Sequence, residues 1–341
     1  MARKLGELYG EQFAIVSGKS NPPLVSGVAE HLGVKPIFLQ TENWGNGYPR
    51  CVRPKEVTFA EKKVIIITSL QYREIGSPVE ELELMVDACG SSSDIHLILT
   101  WFCGKDDVSH SPGHVPTTAW LASRIKHLPN LKSVNVFDPH QSSHLEFFHP
   151  LRRRRFYFLR LLIEKARELG IEQIAATDFS STKRASRVEE ILQTGHPIFL
   201  ASKDHSHAGK DSPLSKLGLT GDLVGRKIAI FDDMALSWKT MKAVVENLHP
   251  LIEAAEKEGR GKADVYAFAA HFDPTAETHD NLKEALTNGW LKSFITTNSK
   301  LLDPKFLELP GFAFVDVSEM VAELVEALVL GSSTSDMFKD I

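Results

Sequence analysis

The sequence predicts an α/β protein of two domains, each a mainly parallel sheet covered by helices. Three observations carry that expectation. Short apolar runs alternate along the chain with segments of helical period, the pattern of a parallel, helix-covered sheet. One such run, Ile228 to Phe231, stops at two adjacent carboxylates, Asp232 and Asp233, and the chain resumes as a helical pattern from Met241, which reads as strand, turn and helix. Finally, 341 residues with 43% hydrophobic content can bury a substantial core, and the length suggests two domains.

In order, Phe13–Val16 reads as a strand, Asn21-Pro22-Pro23 as a turn, and Leu24–Leu32 as a helix closed by Gly33, a left-handed stop. Val34–Leu39 is the next strand. The turn Ser17-Gly18-Lys19-Ser20 lacks the upstream glycine and the full spacing of a nucleotide P-loop, so it does not qualify as one. Val64–Ile67 is a buried strand, Val79–Cys89 an amphipathic helix and Ile95–Leu99 another strand. Between Trp101 and Pro116 the pattern breaks into polar residues before a helix at Thr117–Ile125, and the break reads equally as a lid over a site or an idle connection. Val134–Phe137 is a strand running into Asp138-Pro139-His140. A histidine at such an edge meets ligand more readily than one in the core, which favours a functional role for His140.

Pro150 is expected to close the first domain, with Leu151–Leu169 as a helix whose apolar side holds Phe156, Phe158, Leu159, Leu162 and Ile163. The run Arg152–Arg155 is then its solvated first turn or a subunit contact; four cations there oppose the helix dipole and suit an acidic partner surface. Strands at Gln173–Thr177, Pro197–Ala201, Lys227–Phe231 and Ala263–Ala270 follow, with helices at Thr182–Leu192 and Ser237–Glu258. His205–Pro213 reads as a polar flap. Phe294–Thr297 and Ala313–Val315 are late strands, and Val317–Leu330 is a last helix before a loose tail. The expected domains are 8–150 and 151–316, with 317–341 a C-terminal helix and tail.

A net charge of −5 does not suggest nucleic acid or an anionic membrane as partner. No stretch reaches the roughly 18 apolar residues of a membrane span, and no signal-peptide core follows the first residues, so a cytoplasmic protein is expected. Cys51, Cys89 and Cys103 are odd in number and widely spaced, suggesting neither a disulfide framework nor a zinc site. The strongest candidate site is the pair Asp232 and Asp233. At the carboxyl edge of a parallel sheet ligands bind, and the following helix start offers backbone N–H groups to an anion. Two carboxylates side by side repel unless a cation or ligand hydroxyls compensate them. Helix capping is the plainer reading.

The ordered segments resemble the ribose-phosphate diphosphokinase family over nearly the whole chain. They are Ser17–Leu24 with Ala29–Gly33; Asp138-Pro139-His140 with Phe147-Phe148; Asp178 with Lys183-Arg184-Ala185; Gly221–Gly225; Asp232-Asp233-Met234 with Thr240; and Thr297-Asn298. The resemblance implies two stacked phosphoribosyltransferase-like domains, assembly into dimers or hexamers, and Mg²⁺-dependent transfer of diphosphate from ATP to ribose 5-phosphate. It further implies that Asp232 and Asp233 hold the ribose hydroxyls, with Ser237, Lys239 and Thr240 at the phosphate. Lys203 and His205 would neutralise the transferring group. Trp44, Asn46, Lys105, Asp107 and His140 would bind ATP, and His140 and Asp178 the metal.

Departures from the family pattern accompany these matches. Where the family carries Thr-Gly-Gly-Thr, this chain has Ser237-Trp238-Lys239-Thr240, which would put an indole where the phosphate should sit. Leu236 replaces an acidic residue, and His205 replaces an arginine. Lys105 stands for an arginine whose bidentate fork it lacks. Two readings follow: an enzyme acting on ATP and ribose 5-phosphate, or a catalytically inactive homologue that regulates or assembles with an active synthetase as a hetero-oligomer. A single-domain nucleobase phosphoribosyltransferase would leave the first half unexplained.

Overall fold

In the computed structural model, residues 5–71, 78–90, 92, 94–102, 115–176, 182–203, 217–220, 226–259 and 261–338 are described, with the backbone alone at 200–203, 217–220, 336 and 338. The chain divides into two compact units. The first comprises Met1–Tyr157, Asn298–Leu301 and Asp316–Lys339, and the second Phe158–Thr297 and Leu302–Val315 with the last two residues. The break at Tyr157 falls beyond the expected 150. The last helix joins the first unit instead of following the second.

The first unit opens with α1 (Leu5–Tyr9), β1 (Phe13–Ser17), α2 (Pro22–Leu32) and β2 (Ile37–Phe38). The hairpin strands β3 (Gln40–Asn43) and β4 (Pro49–Val52) come next, then β5 (Lys63–Ser69), α3 (Pro78–Ala88), β6 (Asp94–Trp101), α4 (Thr117–Lys126), β7 (Leu131–Phe137) and β8 (Arg152–Phe156). Apart from the hairpin these strands form one parallel sheet in the order β2-β1-β5-β6-β7-β8. Its middle strands are buried Val, Ile and Leu on both faces, as a helix-covered parallel sheet requires. Gly33 ends α2 at φ 71°, as expected of a left-handed stop.

The second unit holds α5 (Leu159–Leu169), β9 (Gln173–Ala176), α6 (Thr182–Leu192), β10 (Phe199–Lys203), β11 (Leu217–Thr220), β12 (Lys227–Ala235) and α7 (Lys239–Lys257). It continues through β13 (Asp264–Phe272), α8 (Thr278–Thr287), β14 (Ser293–Thr297), α9 (Pro304–Leu307) and β15 (Phe312–Val315). The sheet order is β11-β10-β9-β12-β13-β14-β15, parallel except for the β10–β11 pair. The final helix α10 (Ser318–Leu330) packs on α2 of the first unit, where Gly27 admits Ser318 so closely that a Cβ would lie 3.0 Å from it.

Two expectations are corrected. Arg152–Arg155 form an edge strand paired in parallel with β7, and the helix begins only at Leu159. A helix start was expected because Phe156, Phe158, Leu159 and Leu162 fit its period. Yet Phe156 is buried by the strand and packs on Phe137 at 5.3 Å, and strand pairing satisfies a backbone that a first helical turn would leave open. Likewise β12 does not stop at Phe231 but carries Asp232 and Asp233 inside the ladder, with Asp232 opposite Ala269 and Met234 opposite His271.

Candidate functional site

In the second sheet, β9 leads through α6 to β10 on one side, while β12 leads through α7 to β13 on the other. The connections diverge between β9 and β12, and in open α/β sheets ligands bind outside the carboxyl ends of the strands at such a point. Asp232 and Asp233 lie at this end of β12. Neither caps the following helix. The N-cap of α7 is Trp238, with no side-chain cap bond, so the capping reading of the carboxylates is set aside.

What compensates the pair is Arg184, from the first turn of α6. Its Nη1 donates to Asp232 Oδ1 and to Asp233 Oδ1, each at 3.3 Å. The Asp233 amide donates to Asp232 Oδ1 at 2.9 Å. Burial, followed by the adjacent Asp233 charge, raises the Asp232 carboxyl to about 7 against the pull of Arg184. Arg184 appears in the sequence only as part of Lys183-Arg184-Ala185. Its role follows from the α6 start facing β12, which no local pattern encodes.

This pair gives a pH prediction. An unfolded Asp loses its proton near pH ~4, while the folded Asp232 keeps it up to about 7. The native state therefore holds more protons between those values, and stability falls as pH rises through the window. Asp232→Asn is expected to flatten that decline, which urea midpoints taken across the window will read. An equally steep decline in the variant would remove Asp232 as its source.

The loop from β12 to α7 is held from below. Thr278 Oγ1 of α8 donates to Leu236 O, and Asn281 Nδ2 donates to Ser237 O at 2.9 Å. Trp238 then adopts φ 63° and ψ 5°, a left-handed conformation suited to glycine. Its ring does not occupy the space above the loop. It is 2% exposed and meets Phe294 edge-on at 6.0 Å, beside Phe272, Phe306 and Phe312. The expectation of an indole in the phosphate position is thus overturned: an apolar core lies under the loop and takes the ring. Lys239 is exposed and ion-paired with Glu277, Thr240 stands in the first turn of α7, and Ser237 Oγ accepts from Lys239 N at 3.5 Å.

The other expected site residues are placed as follows. Lys203 ends β10, opposite Leu217 of β11. Trp44 and Asn46 sit at the tip of the β3–β4 hairpin, the indole 55% exposed with the Arg50 guanidinium 4.3 Å from its centroid. Arg50 is itself ion-paired with Glu42. His140 follows β7 and is half-buried. Lys105, Asp107, Asp178 and His205 lie outside the described residues, as do the expected lid and flap. Asp232, Asp233, Ser237, Lys239 and Thr240 are therefore brought together on one strand-to-helix junction.

The Ser17–Ser20 turn is occupied from within the first unit. Glu81 Oε1 accepts from Lys19 N at 3.1 Å and Thr41 Oγ1 at 2.6 Å, and a Cβ on Gly18 would lie 2.3 Å from that oxygen. Among the described residues, no three His, Cys, Asp or Glu side chains form a group that could hold a metal, and no helix is long and apolar enough to cross a membrane.

No protein-family model matches the chain. Ribose-phosphate pyrophosphokinase 4 of Saccharomyces cerevisiae is 24% identical over 330 residues, covering 95% of this chain and 94% of the yeast protein. The ribose-phosphate pyrophosphokinase of Prochlorococcus marinus is 21% identical over 336 residues, covering 97% and 95%. The crystal structure of phosphoribosylpyrophosphate synthetase from Mycobacterium smegmatis matches with a TM-score of 0.78 at 18% identity, covering 94% of this chain and 100% of that one. That likeness establishes the fold, two phosphoribosyltransferase-like domains. The chain is thus similar over nearly its whole length to ribose-phosphate pyrophosphokinases, and its carboxylate pair lies at the switch point of the second sheet.

Proposed function

We propose that this protein is an active ribose-phosphate diphosphokinase, which transfers diphosphate from ATP to the 1-hydroxyl of ribose 5-phosphate and releases AMP. The observation that carries the reading is the β12–α7 junction. A carboxylate pair bridged by Arg184 is followed, five residues on, by a left-handed turn and a helix start whose N-cap residue makes no side-chain cap bond. Carboxylates accept hydrogen bonds from sugar hydroxyls, and an uncapped helix start receives a phosphate on backbone N–H groups. In this reading Asp232 and Asp233 hold the ribose diol, and Ser237, Lys239, Thr240 and the α7 start hold the 5-phosphate.

Lys203 and His205 neutralise the transferring group. Trp44 stacks on adenine with Asn46 beside it, and Lys105, Asp107 and His140 bind the triphosphate. Diphosphoryl transfer depends on positioning and charge more than on covalent chemistry by the protein, so these groups suffice in kind. Mg²⁺ bound with ATP would neutralise phosphate charge, with His140 and Asp178 as its protein ligands. So small a donor set fits a hard cation that keeps several waters and takes substrate phosphates as ligands. Assembly into dimers or hexamers and a cytoplasmic location belong to the same proposal.

The rival, an inactive subunit, drew on the altered phosphate-binding residues for both substrates, the indole among them. Burial of Trp238 away from the loop supports the enzyme instead. The deciding assay incubates the purified chain with Mg²⁺-ATP and ribose 5-phosphate. AMP and phosphoribosyl diphosphate are expected in equal amounts. No AMP above the blank would return the weight to the inactive homologue, and AMP formed equally well without the sugar would make ribose 5-phosphate the wrong acceptor.

A further inference from the structure

At the opposite, amino-terminal edge of the first sheet lies a cleft of about 560 Å³, separate from every residue assigned above. The first residues of four parallel strands reach it, because Lys63, Asp94, Leu131 and Arg152 open β5, β6, β7 and β8. Parallel register sets His96, Ser133 and Arg152 side by side, and Arg154 two residues on shares their face. The far wall is the end of α10 and the segment that follows it, including Ser332 and Thr334.

Four cations, Lys63, Lys132, Arg152 and Arg154, line this cleft against the one carboxylate of Asp94. Asp94 sits 3.6 Å from Lys132. Lys63 Nζ donates to Leu328 O at 2.8 Å and Val329 O at 3.0 Å, the carbonyls that end α10, and so is held in place without being neutralised. The Arg152 and Arg154 side chains form no ion pair or hydrogen bond among the described residues.

Polar side chains of β6 and β7 lie beside these cations. Asn135 Nδ2 donates to Leu97 O at 3.0 Å and to Ser133 Oγ at 3.1 Å. Ser133 Oγ lies 2.8 Å from His96 Nδ1, and in the tautomer in which the hydroxyl donates, the ring proton sits on Nε2. Burial, followed by Lys63 and, less strongly, Arg154 and Arg152, lowers His96 to about 4 despite Asp94, so the imidazole is neutral and remains a donor. Burial and the neighbouring Arg152 likewise act against the charge of Arg154. Four cations thus line the cleft against one carboxylate, and Arg152 acts against the charge of Arg154.

We propose that this cleft binds a small anion of the diphosphate class, held by Arg152 and Arg154 with Lys63, Lys132 and the His96 Nε2–H. Guanidinium forks suit phosphate oxygens bidentately, and the volume is in the range of small-molecule sites. An acidic protein segment is the other chemistry that could meet these charges. A cleft of about 560 Å³ floored by strand ends favours the small ligand.

The test is calorimetric titration with pyrophosphate in metal-free buffer at low salt. The native chain is expected to bind, and Arg152→Gln with Arg154→Gln to bind at least about tenfold more weakly, from the loss of two charge-assisted contacts. Arg152→Lys with Arg154→Lys keeps both charges and is expected to stay nearer the native affinity, which separates ligand contact from damage to the edge strand. The local readout is the His96 ring resonance, whose titration should move to higher pH when pyrophosphate binds, because an adjacent anion favours the imidazolium. Uridine diphosphate binding more tightly than pyrophosphate would identify an esterified diphosphate, and the reverse an inorganic one; both support the site. Native-like affinity in the double glutamine variant, an unmoved His96 titration, or displacement of pyrophosphate by a poly-glutamate peptide at lower concentration would overturn it.

Discussion

Trp238→Gly is expected to destabilise the protein by roughly 2–4 kcal/mol, removing a large buried side chain and restoring only the smaller strain of a left-handed non-glycine residue. The indole is 2% exposed inside an aromatic cluster and meets Phe294 edge-on, so its loss opens a cavity bounded by Phe272 and Phe294. Two terms run the other way. The φ of 63° costs a tryptophan about 1–2 kcal/mol, and the indole Nε1 is buried without a hydrogen-bond partner. Neither offsets a whole ring, and glycine further raises the entropy of the unfolded chain. Urea unfolding followed by circular dichroism measures the difference. A loss below about 1 kcal/mol would mean that the ring contributes little to the core and that the loop shape rests on α8 alone.

Lys203→Ala is expected to lower turnover by at least about a hundredfold, the scale of losing one preorganised cation opposite developing charge. Lys203 ends β10, two strands from β12 through β9, on the edge where the carboxylate pair lies. Because the contact is strengthened in the transition state, kcat should fall with KM for ribose 5-phosphate little changed. Steady-state rates of AMP formation decide it. Unchanged turnover would remove Lys203 from the chemistry, while a rise in KM alone would make it a substrate-binding group.

The parallel strands, the helices between them and the Asp232–Asp233 pair were legible because each rests on local pattern: an apolar run, a helical period, a charge pair closing the run. What was not legible depended on partners distant in sequence. Arg152–Arg155 carry no strand pattern, and β7 makes them a strand by pairing. Asp232 and Asp233 read as a turn because carboxylates seldom lie within a ladder, and β13 opposite them keeps the strand running. The downward turn of Trp238 depends on an aromatic pocket assembled from Phe272, Phe294, Phe306 and Phe312, none of them close in sequence. The strands of the hairpin carrying Trp44 were not legible, since Gln40–Asn43 and Pro49–Val52 have almost no buried positions.

The return of the chain to its first unit bears on how the protein is made. A polypeptide leaves the ribosome amino end first, and domains commonly fold in that order. Here α10, which presents Met320, Val321, Leu324, Val325 and Leu328 to the interior and packs on α2, is synthesised after nearly all of the second unit. Asn298–Leu301 arrives almost as late, bringing the Asn298 carbonyl to Asn21 and the Ser299 carbonyl to Thr100. The second unit has nearly all of its own residues by Val315, so it is the first able to close, while the earlier-made half waits with the apolar side of α2 uncovered. During that interval α2 is the surface a chaperone would meet.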